Sequence, residues 1–456
     1  MWLALTAKLC LLIAALFASE PWRAAAAENP EHHVVVISVD GMRASSCIHP
    51  APGVRIPNLE RLLKEGSHAS GVEGVYPTLT YPSHTTIATG RLPAEHGIYT
   101  NLSSRQAGKN PNDWFWFAKD IKVPTLWDEA RRAHLSTGSI SWPVTAGAPI
   151  DWNIPEIWDP SRGEVLDLPY LAKYMNPLFS IEILGALGVP SNTTGGDADR
   201  VRIAAYILRK HRPNLLLIHL AALDEIEHLR GPDSPEAART LERMDKHIGE
   251  LLSTVNEAGL GSSTAIFVVS DHGFLGVERD VAPNVLLVRA GLLAANVAGQ
   301  LTGGKLATVA NGGSFFIYWP QSESLRGRVD AALKPLRDEG LVWAVIDRKG
   351  LNELGADPEA QIALEAPGGT YLSGRGNGEL VRRLSGPAGT HGFLPFRAGL
   401  EASFIAWGPG IKAGRDLHRV PMTAIGPTIL KALGIDDPQF GDQPALADIF
   451  RDRGNK

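Results

Sequence analysis

A chain of 456 residues, 44% hydrophobic and 20% charged, is long enough to bury a substantial core in one large domain with an insertion, or in two domains. Its formal net charge of −5 and the lack of any dense Lys/Arg cluster argue against a nucleic-acid polymer as partner. Small anionic substrates stay open, because they respond to the local field of a site and not to net charge.

Lys8 precedes an apolar run from Leu9 to Ala18, and a small-residue patch follows at Ala24 to Ala27. The run is short for a bilayer span and the patch suits cleavage, so residues 1–27 read as a signal peptide. No Cys closes the apolar run, which points away from a lipoprotein. The expected mature chain is exported, periplasmic or secreted, with no stable membrane anchor after cleavage. The only cysteines are Cys10 and Cys47; Cys10 leaves with the signal, so no intramolecular disulfide is expected. Asn101-Leu102-Ser103 and Asn192-Thr193-Thr194 match the glycosylation pattern and are expected to be bare in a periplasm.

Residues 33–39 form a β-branched apolar run ending at Asp40-Gly41, which predicts a buried strand of a parallel sheet, with a helix over 57–65. An acid at the carboxyl end of such a strand lies where open α/β sheets place ligands. The stretch from Tyr76 to His84 is punctuated by Pro77 and Pro82 and reads as a rigid loop. A helix follows over 83–89, with Pro82 in its first turn. Thr80 then sits near the helix's positive end, where an alkoxide or phosphoryl group is stabilised; its hydroxyl needs a base or a metal to become a nucleophile. A helix over 124–134 and a strand over 137–141 come next. From 142 to 190 the periodicity fades among prolines, tryptophans and glycines, and this predicts a surface excursion near a site mouth.

Alternation resumes with a helix over 199–211, a strand over 214–219, a long amphipathic helix over 234–255 and a strand over 264–270 that ends at Asp271-His272-Gly273. The pattern predicts an α/β fold, a doubly wound sheet with helices on both faces. Shorter units follow: helix 285–294, strand 314–319, helix 324–338, strand 341–346. They predict a small inserted α/β cap subdomain over 281–384, within a catalytic core made of 28–280 and 385–456. A strand over 401–407 and a helix over 422–433 complete that core.

Metal-ligand residue types recur at Asp40, at Asp224 with His228, at Asp271-His272 and at His391, the first three at or shortly after strand ends. Asp224 and His228 are four apart, so one helical face can offer both to a single ion. His391 is flanked by glycines that let backbone approach a site closely. A lone histidine is more often structural, and an Asp at a strand end often caps the next helix. Three Asp and three His on site-facing loops, beside a candidate nucleophile, shift that balance. Oxygen and nitrogen donors without thiolates suit zinc ahead of manganese or iron, and six ligands suit two ions ~3.5–4 Å apart.

Five stretches resemble the alkaline phosphatase superfamily: Asp40-Gly41; Pro77 to His84 with Thr89, Gly90, His96 and Gly97; Asp224 to His228 with Gly231-Pro232; Asp271-His272-Gly273; and Gly389-Thr390-His391-Gly392. Within it they are most similar to the nucleotide pyrophosphatase/phosphodiesterase branch, in the branch's order and over essentially the whole mature chain. The resemblance implies two Zn2+ ions, one held by Asp224, His228 and His391, the other by Asp40, Asp271, His272 and the Thr80 oxygen. It implies Thr80 as nucleophile through a phospho-threonine intermediate, and Asn101 as hydrogen-bond donor to a phosphoryl oxygen. Tyr81 stands where the branch often has Phe and is expected to stack on a base or other flat group. Glu227 stands where the branch commonly has Gly, and is expected to alter the local field or the pocket mouth.

The expected activity is that of a phosphodiesterase or nucleotide pyrophosphatase acting on a small phosphate ester. No Lys or Arg occurs between Ala133 and Ser161, so no dedicated cation for a second phosphoryl charge is expected, which favours diesters. A phosphomonoesterase and a phosphonoacetate hydrolase on the same two-zinc site are the alternatives. A sulfatase-type oxidised residue is not suggested, because Cys47 is followed by Ile48-His49-Pro50. A catalytically idle binding protein is the non-enzyme alternative, against which the intact ligand set and Thr80 argue.

Overall fold

The computed structural model describes residues 32–103, 114–158, 167–188, 196–320 and 322–451. The expected signal peptide at 1–27 and the glycosylation pattern at 192–194 lie outside the described residues. Among those residues, no helix is long and apolar enough to cross a membrane.

The main sheet comprises β1 (His33–Val39), β2 (Ser67–His68), β3 (Thr137–Ile140), β4 (Trp152–Ile154), β5 (Leu215–Leu220), β6 (Thr264–Val269), β7 (Phe404–Trp407) and β8 (Arg415–Asp416). Their spatial order is β8-β2-β7-β6-β1-β5-β3-β4. Strand β1 is central and pairs in parallel with both β5 and β6; β7 runs antiparallel to β6. The helices used below are α1 (Pro57–Glu65), α2 (Thr80–Thr89), α3 (Leu126–Arg132), α4 (Asp197–Lys210), α5 (Ala222–Arg230), α6 (Pro235–Glu257) and α7 (Ile425–Ala432).

The unbroken apolar run of β1 has a direct physical cause: both of its faces are covered. Val35, Ile37 and Val39 pack with Leu59 and Leu62 of α1, Ile203 and Ile207 of α4, and Ile248 and Leu251 of α6. Val34 and Val36 point the other way, onto Ile87 of α2, Leu126 of α3 and Ile425 of α7. Full burial of each such side chain contributes about 1.5–3 kcal/mol. This is a doubly wound α/β sheet with helices on both faces. Because β6, β1 and β5 are parallel neighbours, their carboxyl ends share one edge, and the chain leaves that edge at Asp271, Asp40 and the start of α5.

The stretch 142–190 is more than a surface excursion. Trp142, Ile150 and Ile154 are buried, and β4 extends the sheet by pairing in parallel with β3. Its lack of periodicity reflects a three-residue strand, too short to show an alternation.

Residues 307–310, 314–318, 344–347 and 362–365 form a separate four-stranded antiparallel sheet. The helix Glu323–Asp338 packs on it, burying Val329, Leu333 and Leu336 against Phe315, Ile317 and Leu364. A three-stranded sheet of Leu275–Val281, Gly369–Leu372 and Val381–Thr390 carries the chain back toward the main sheet, and His391 follows its last strand directly.

Candidate active site

Helix α2 begins at Thr80, with Leu79 as its cap, three residues earlier than the proline pattern predicts. All ten of its residues are buried although most are polar. Their side chains bond to the helix itself: Thr85 Oγ1 donates to the Tyr81 carbonyl and Thr89 Oγ1 to the Thr85 carbonyl, each at 2.8 Å. His84 Nδ1 donates to the Thr80 carbonyl at 2.8 Å, while its Nε2 accepts from Ser38 Oγ of β1 at 2.9 Å. Thr80 is therefore held at the first position of the helix, with its backbone tied to the central strand.

The preceding loop is stitched to the His391 loop. Thr78 Oγ1 bonds the Phe393 carbonyl at 3.0 Å, and Gly392 N–H donates to the Thr78 carbonyl at 2.9 Å. A Cβ on Gly392 would stand 1.7 Å from the Asn311 carbonyl oxygen, and its φ is +85°, so only glycine fits there. Gly41 also has a positive φ, +74°, and a Cβ there would meet Glu227 Oε2 at 3.1 Å, a tight contact but a less severe one.

Six of the sequence-predicted ligands assemble as two triads, Asp224/His228/His391 and Asp40/Asp271/His272. In each histidine, Nδ1 faces a backbone carbonyl: His228 to Gly389 at 3.1 Å, His391 to Thr78 at 2.8 Å and His272 to Gly273 at 3.2 Å. Those contacts place the ring proton on Nδ1 and leave Nε2 a bare acceptor. The bare nitrogens of His228 and His391 lie 3.2 Å apart, and Asp224 reaches them at 3.6 Å and 3.5 Å. In the second triad, His272 Nε2 lies 3.1 Å from Asp271 Oδ2 and 3.4 Å from Asp40 Oδ1. The His272 and His391 rings stack at 3.8 Å, so the triads are neighbours.

Acceptors facing acceptors in a buried site repel unless a cation lies between them. Asp40 Oδ1, Asp224 Oδ1, Asp271 Oδ2 and His272 Nε2 are buried without any hydrogen-bond partner. A tetrahedral ion with bonds of ~2.0–2.2 Å holds its donor atoms roughly 3.3–3.6 Å apart, and both triads have close to that spacing. The bare side chains are correspondingly perturbed. Burial, then the Asp271 charge, pushes Asp40 well above the usual carboxylate range, and burial, then the Asp40 charge, does the same to Asp224. Burial drives His272 down to about 3. The donor set therefore fits two divalent cations of the zinc type.

A cavity of about 290 Å³ opens onto this edge, lined by Thr80, Tyr81, Asn101, Asp40, Asp224, His228 and His391 among others. Asn101 Oδ1 accepts from the Tyr81 N–H at 3.0 Å, which turns its amide N–H groups away from that bond as the free donors. Tyr81 is 1% exposed, with its ring against Trp114 at 5.2 Å. Trp114 and Trp158, 5.0 Å beyond it, join Tyr81 in lining the cavity wall and add flat surface to it.

Glu227 is 2% exposed and lines a different cavity, with Arg43 and Asp233. It therefore does not shape the pocket mouth, and its effect is confined to the field behind the ligands. Burial raises its carboxyl well above the usual range despite the Arg43 charge.

Besides Trp114, Trp158 and Glu156, two charged or titratable cavity residues escape sequence reasoning. Arg200 comes from α4, outside the window 133–161, and bonds Asp197 at 2.8 Å and Ser141 Oγ at 3.2 Å. The site thus has a cation where none was expected. Its signal was the i, i+3 Asp197/Arg200 pair, which reads equally well as helix surface. His219 is the second. It lies on β5, 1% exposed, between Asp40 and Glu156. Burial would strip its proton, but the Glu156 charge and the bonds to Asp40 and Glu156 raise it well above the usual imidazole value.

This sheet, with its ligand-bearing carboxyl edge, is the fold of the alkaline phosphatase superfamily. Murine ectonucleotide pyrophosphatase/phosphodiesterase 5, in an inactive form in complex with AMP, superposes with a TM-score of 0.65 at 20% identity, covering 92% of this chain and 100% of that one. The human protein of that name gives a TM-score of 0.65, 20% identity and the same coverage. The chain belongs to the type I phosphodiesterase / nucleotide pyrophosphatase family, which it matches over residues 34–392. Ectonucleotide pyrophosphatase/phosphodiesterase family member 1 of Mus musculus is 24% identical over 443 residues, 93% of this chain but 43% of the relative. A bis(5'-adenosyl)-triphosphatase of Bos taurus is 26% identical over 284 residues, 61% of this chain and 54% of the relative. The chain thus spans about half the length of these curated relatives.

Proposed function

We propose that the chain is an exported phosphodiesterase/nucleotide pyrophosphatase acting on small phosphate esters through a phospho-threonine on Thr80, with two zinc ions as cofactors. The observation that carries this is the pair of triads, one buried and one partly open to the cavity, whose acceptor atoms face one another beside a threonine at a helix N-terminus. Asp224, His228 and His391 hold one ion; Asp40, Asp271, His272 and the Thr80 oxygen hold the other. When bound, the ions lower the pKa of the Thr80 hydroxyl and neutralise phosphoryl charge.

The chain's own groups do the rest. The Thr80 oxygen attacks phosphorus, forming the Thr80 O–P bond as the bond to the leaving group breaks; the hydroxyl proton is given up to solvent and the departing oxygen takes one from solvent. The Asn101 amide donates to a phosphoryl oxygen, and the first turn of α2 adds its partial positive charge. Water then cleaves the Thr80 O–P bond, releasing a phosphate monoester and restoring the hydroxyl. Trp114 and Trp158 offer a face to a base or another flat group. Residues 281–384 act as a cap: Val309, Asn311 and Tyr371 wall a second cavity of about 480 Å³, which also meets Asn101, His228 and His391.

Arg200 supports a second reading, in which a monoester or phosphonate dianion is the better substrate. The purified protein should contain about two zincs per chain. Chelation should abolish hydrolysis of bis-nitrophenyl phosphate, and added zinc should restore it. Full activity in a metal-free preparation would end the proposal.

A further inference from the structure

We propose that His219, braced by Glu156, is the positioning residue that presents one oxygen of Asp40 to the Asp40/Asp271/His272 triad and withholds the other. His219 stands opposite Ser38 in the parallel register of β5 and β1, one residue before the strand hands over to Asp40. Its Nε2 lies 3.0 Å from Asp40 Oδ2. Its Nδ1 lies 2.7 Å from Glu156 Oε2 and 3.1 Å from the Ser141 carbonyl. Each ring nitrogen therefore donates to an oxygen, and the ring cannot turn without breaking both bonds. The His84 ring packs against it edge-on at 4.5 Å, which restricts it further.

The consequence falls on Asp40. Its Oδ2 is taken by His219, whereas its Oδ1 has no hydrogen-bond partner and lies 3.4 Å from His272 Nε2. A carboxylate divided in this way offers a single oxygen in a fixed direction. Without His219, both oxygens of Asp40 compete for one ion and the carboxyl loses its orientation. Outer partners that hold a ligand in this manner typically change metal affinity by ~10–100-fold. Glu156 acts at one remove, by keeping the His219 ring in the plane that meets Asp40. Among the described residues the Asp224/His228/His391 triad has no hydrogen bond to His219 or Glu156 and feels His219 only through its charge on Asp224, so its ion is the comparison for an effect carried by the bond to Asp40.

The inference rests on the two-zinc reading, and one titration of the full-length protein separates the two. Zinc is withdrawn from the loaded protein by a chromophoric chelator, and the affinities of the two ions are read individually. In the wild type two ions should be withdrawn; fewer than two ends the two-zinc reading itself. In His219→Phe, which keeps a ring but no donor, one ion should weaken by ~10–100-fold and the other should hold. Glu156→Gln, on the cavity wall, should weaken the same ion by a smaller factor and carries the test should the Phe variant not fold. The pair His219→Gln/Glu156→Gln should bind that ion more tightly than His219→Gln alone, because the two amides can bond each other while one still donates to Asp40. Equal weakening of both ions, or no weakening of either, overturns the assignment of His219.

Discussion

In the proposed mechanism Thr80 and Asn101 divide the work on the phosphoryl group, and their surroundings set what substitutions should do. Thr80 is 8% exposed and its backbone is pinned through His84, so Thr80→Ala removes an oxygen without disturbing helix α2. Turnover should fall by roughly several orders of magnitude, since both the nucleophile and one zinc ligand are lost. Circular dichroism and binding at the Asp224 triad should be retained, and near-normal rates would assign the attack to water. Asn101 is a different case, because its oxygen is already engaged by the Tyr81 N–H. Asn101→Ala should lower kcat by about 10²–10³-fold through loss of a preorganised donor. Asn101→Asp should be worse than Ala, as it keeps the bond to Tyr81 but turns the donor into a charge that repels the phosphoryl oxygen. Equal rates for Ala and Asp would show that the amide does not touch that oxygen.

Helix α2 shows at the level of elements what a sequence conveys and what it hides. Its apolar content is too low for an amphipathic stripe, so prolines alone mark its start, and the true start at Thr80 is missed by three residues. The helix is anchored instead by His96, whose Nδ1 accepts from the Ile98 N–H and whose Nε2 faces Thr86 Oγ1, both at 3.1 Å. Burial lowers His96 to about 3, below its ordinary 6.5. The folded state then binds fewer protons than the unfolded chain below that ordinary value. The stability that His96 contributes is present above pH 6.5 and is lost as the pH falls toward 3. Between pH 7 and pH 5 the loss should be about 2 kcal/mol. His96→Asn keeps an acceptor for Ile98 without a titrating ring, so urea unfolding at the two pH values should show a smaller difference than in the wild type. An equal difference would place the acid sensitivity elsewhere. Long strands with both faces buried, such as β1 and β6, are legible within a residue or two. The short strand β4 and the sheet edge at Ser67–His68 are not, because two or three residues carry no period. The candidate ligands are legible as a constellation because residue type and spacing report them, and the fold brings six of them together. His219 is not, since a histidine inside an apolar strand acquires its meaning only from Asp40 and Glu156, 179 and 63 residues away in the chain.

At the scale of the whole molecule, the parallel neighbours β6, β1 and β5 bring Asp271, Asp40 and Asp224 to one edge, and two cavities meet there. The smaller holds Arg200, Glu156 and the indoles of Trp114 and Trp158; the larger is walled by Val277, Val309 and Leu384. Asn101, Trp114, His228 and His391 line both, so an ester at the triads has room for a substituent on each side. A diester has two such substituents and a monoester has one. The counter-argument is Arg200, whose charge burial disfavours but which Asp197 and Glu156 sustain. Asp197 also accepts from the N–H groups of Ala221 and Ala222 at 3.0 and 3.1 Å, so it is shared and offsets Arg200 only in part. The two effects are separable by charge. A nitrophenyl ester of a nucleotide should have the higher kcat/KM in the wild type, and nitrophenyl phosphate the lower. Arg200→Gln removes the cation but keeps a donor for Asp197, and it should reduce kcat/KM for the dianionic monoester more than for the diester, by about tenfold if the guanidinium is worth ~1.4 kcal/mol to the extra charge. If the wild type prefers the monoester, and Arg200→Gln reverses that preference, Arg200 sets the substrate class and the enzyme is a phosphomonoesterase built on a diesterase fold.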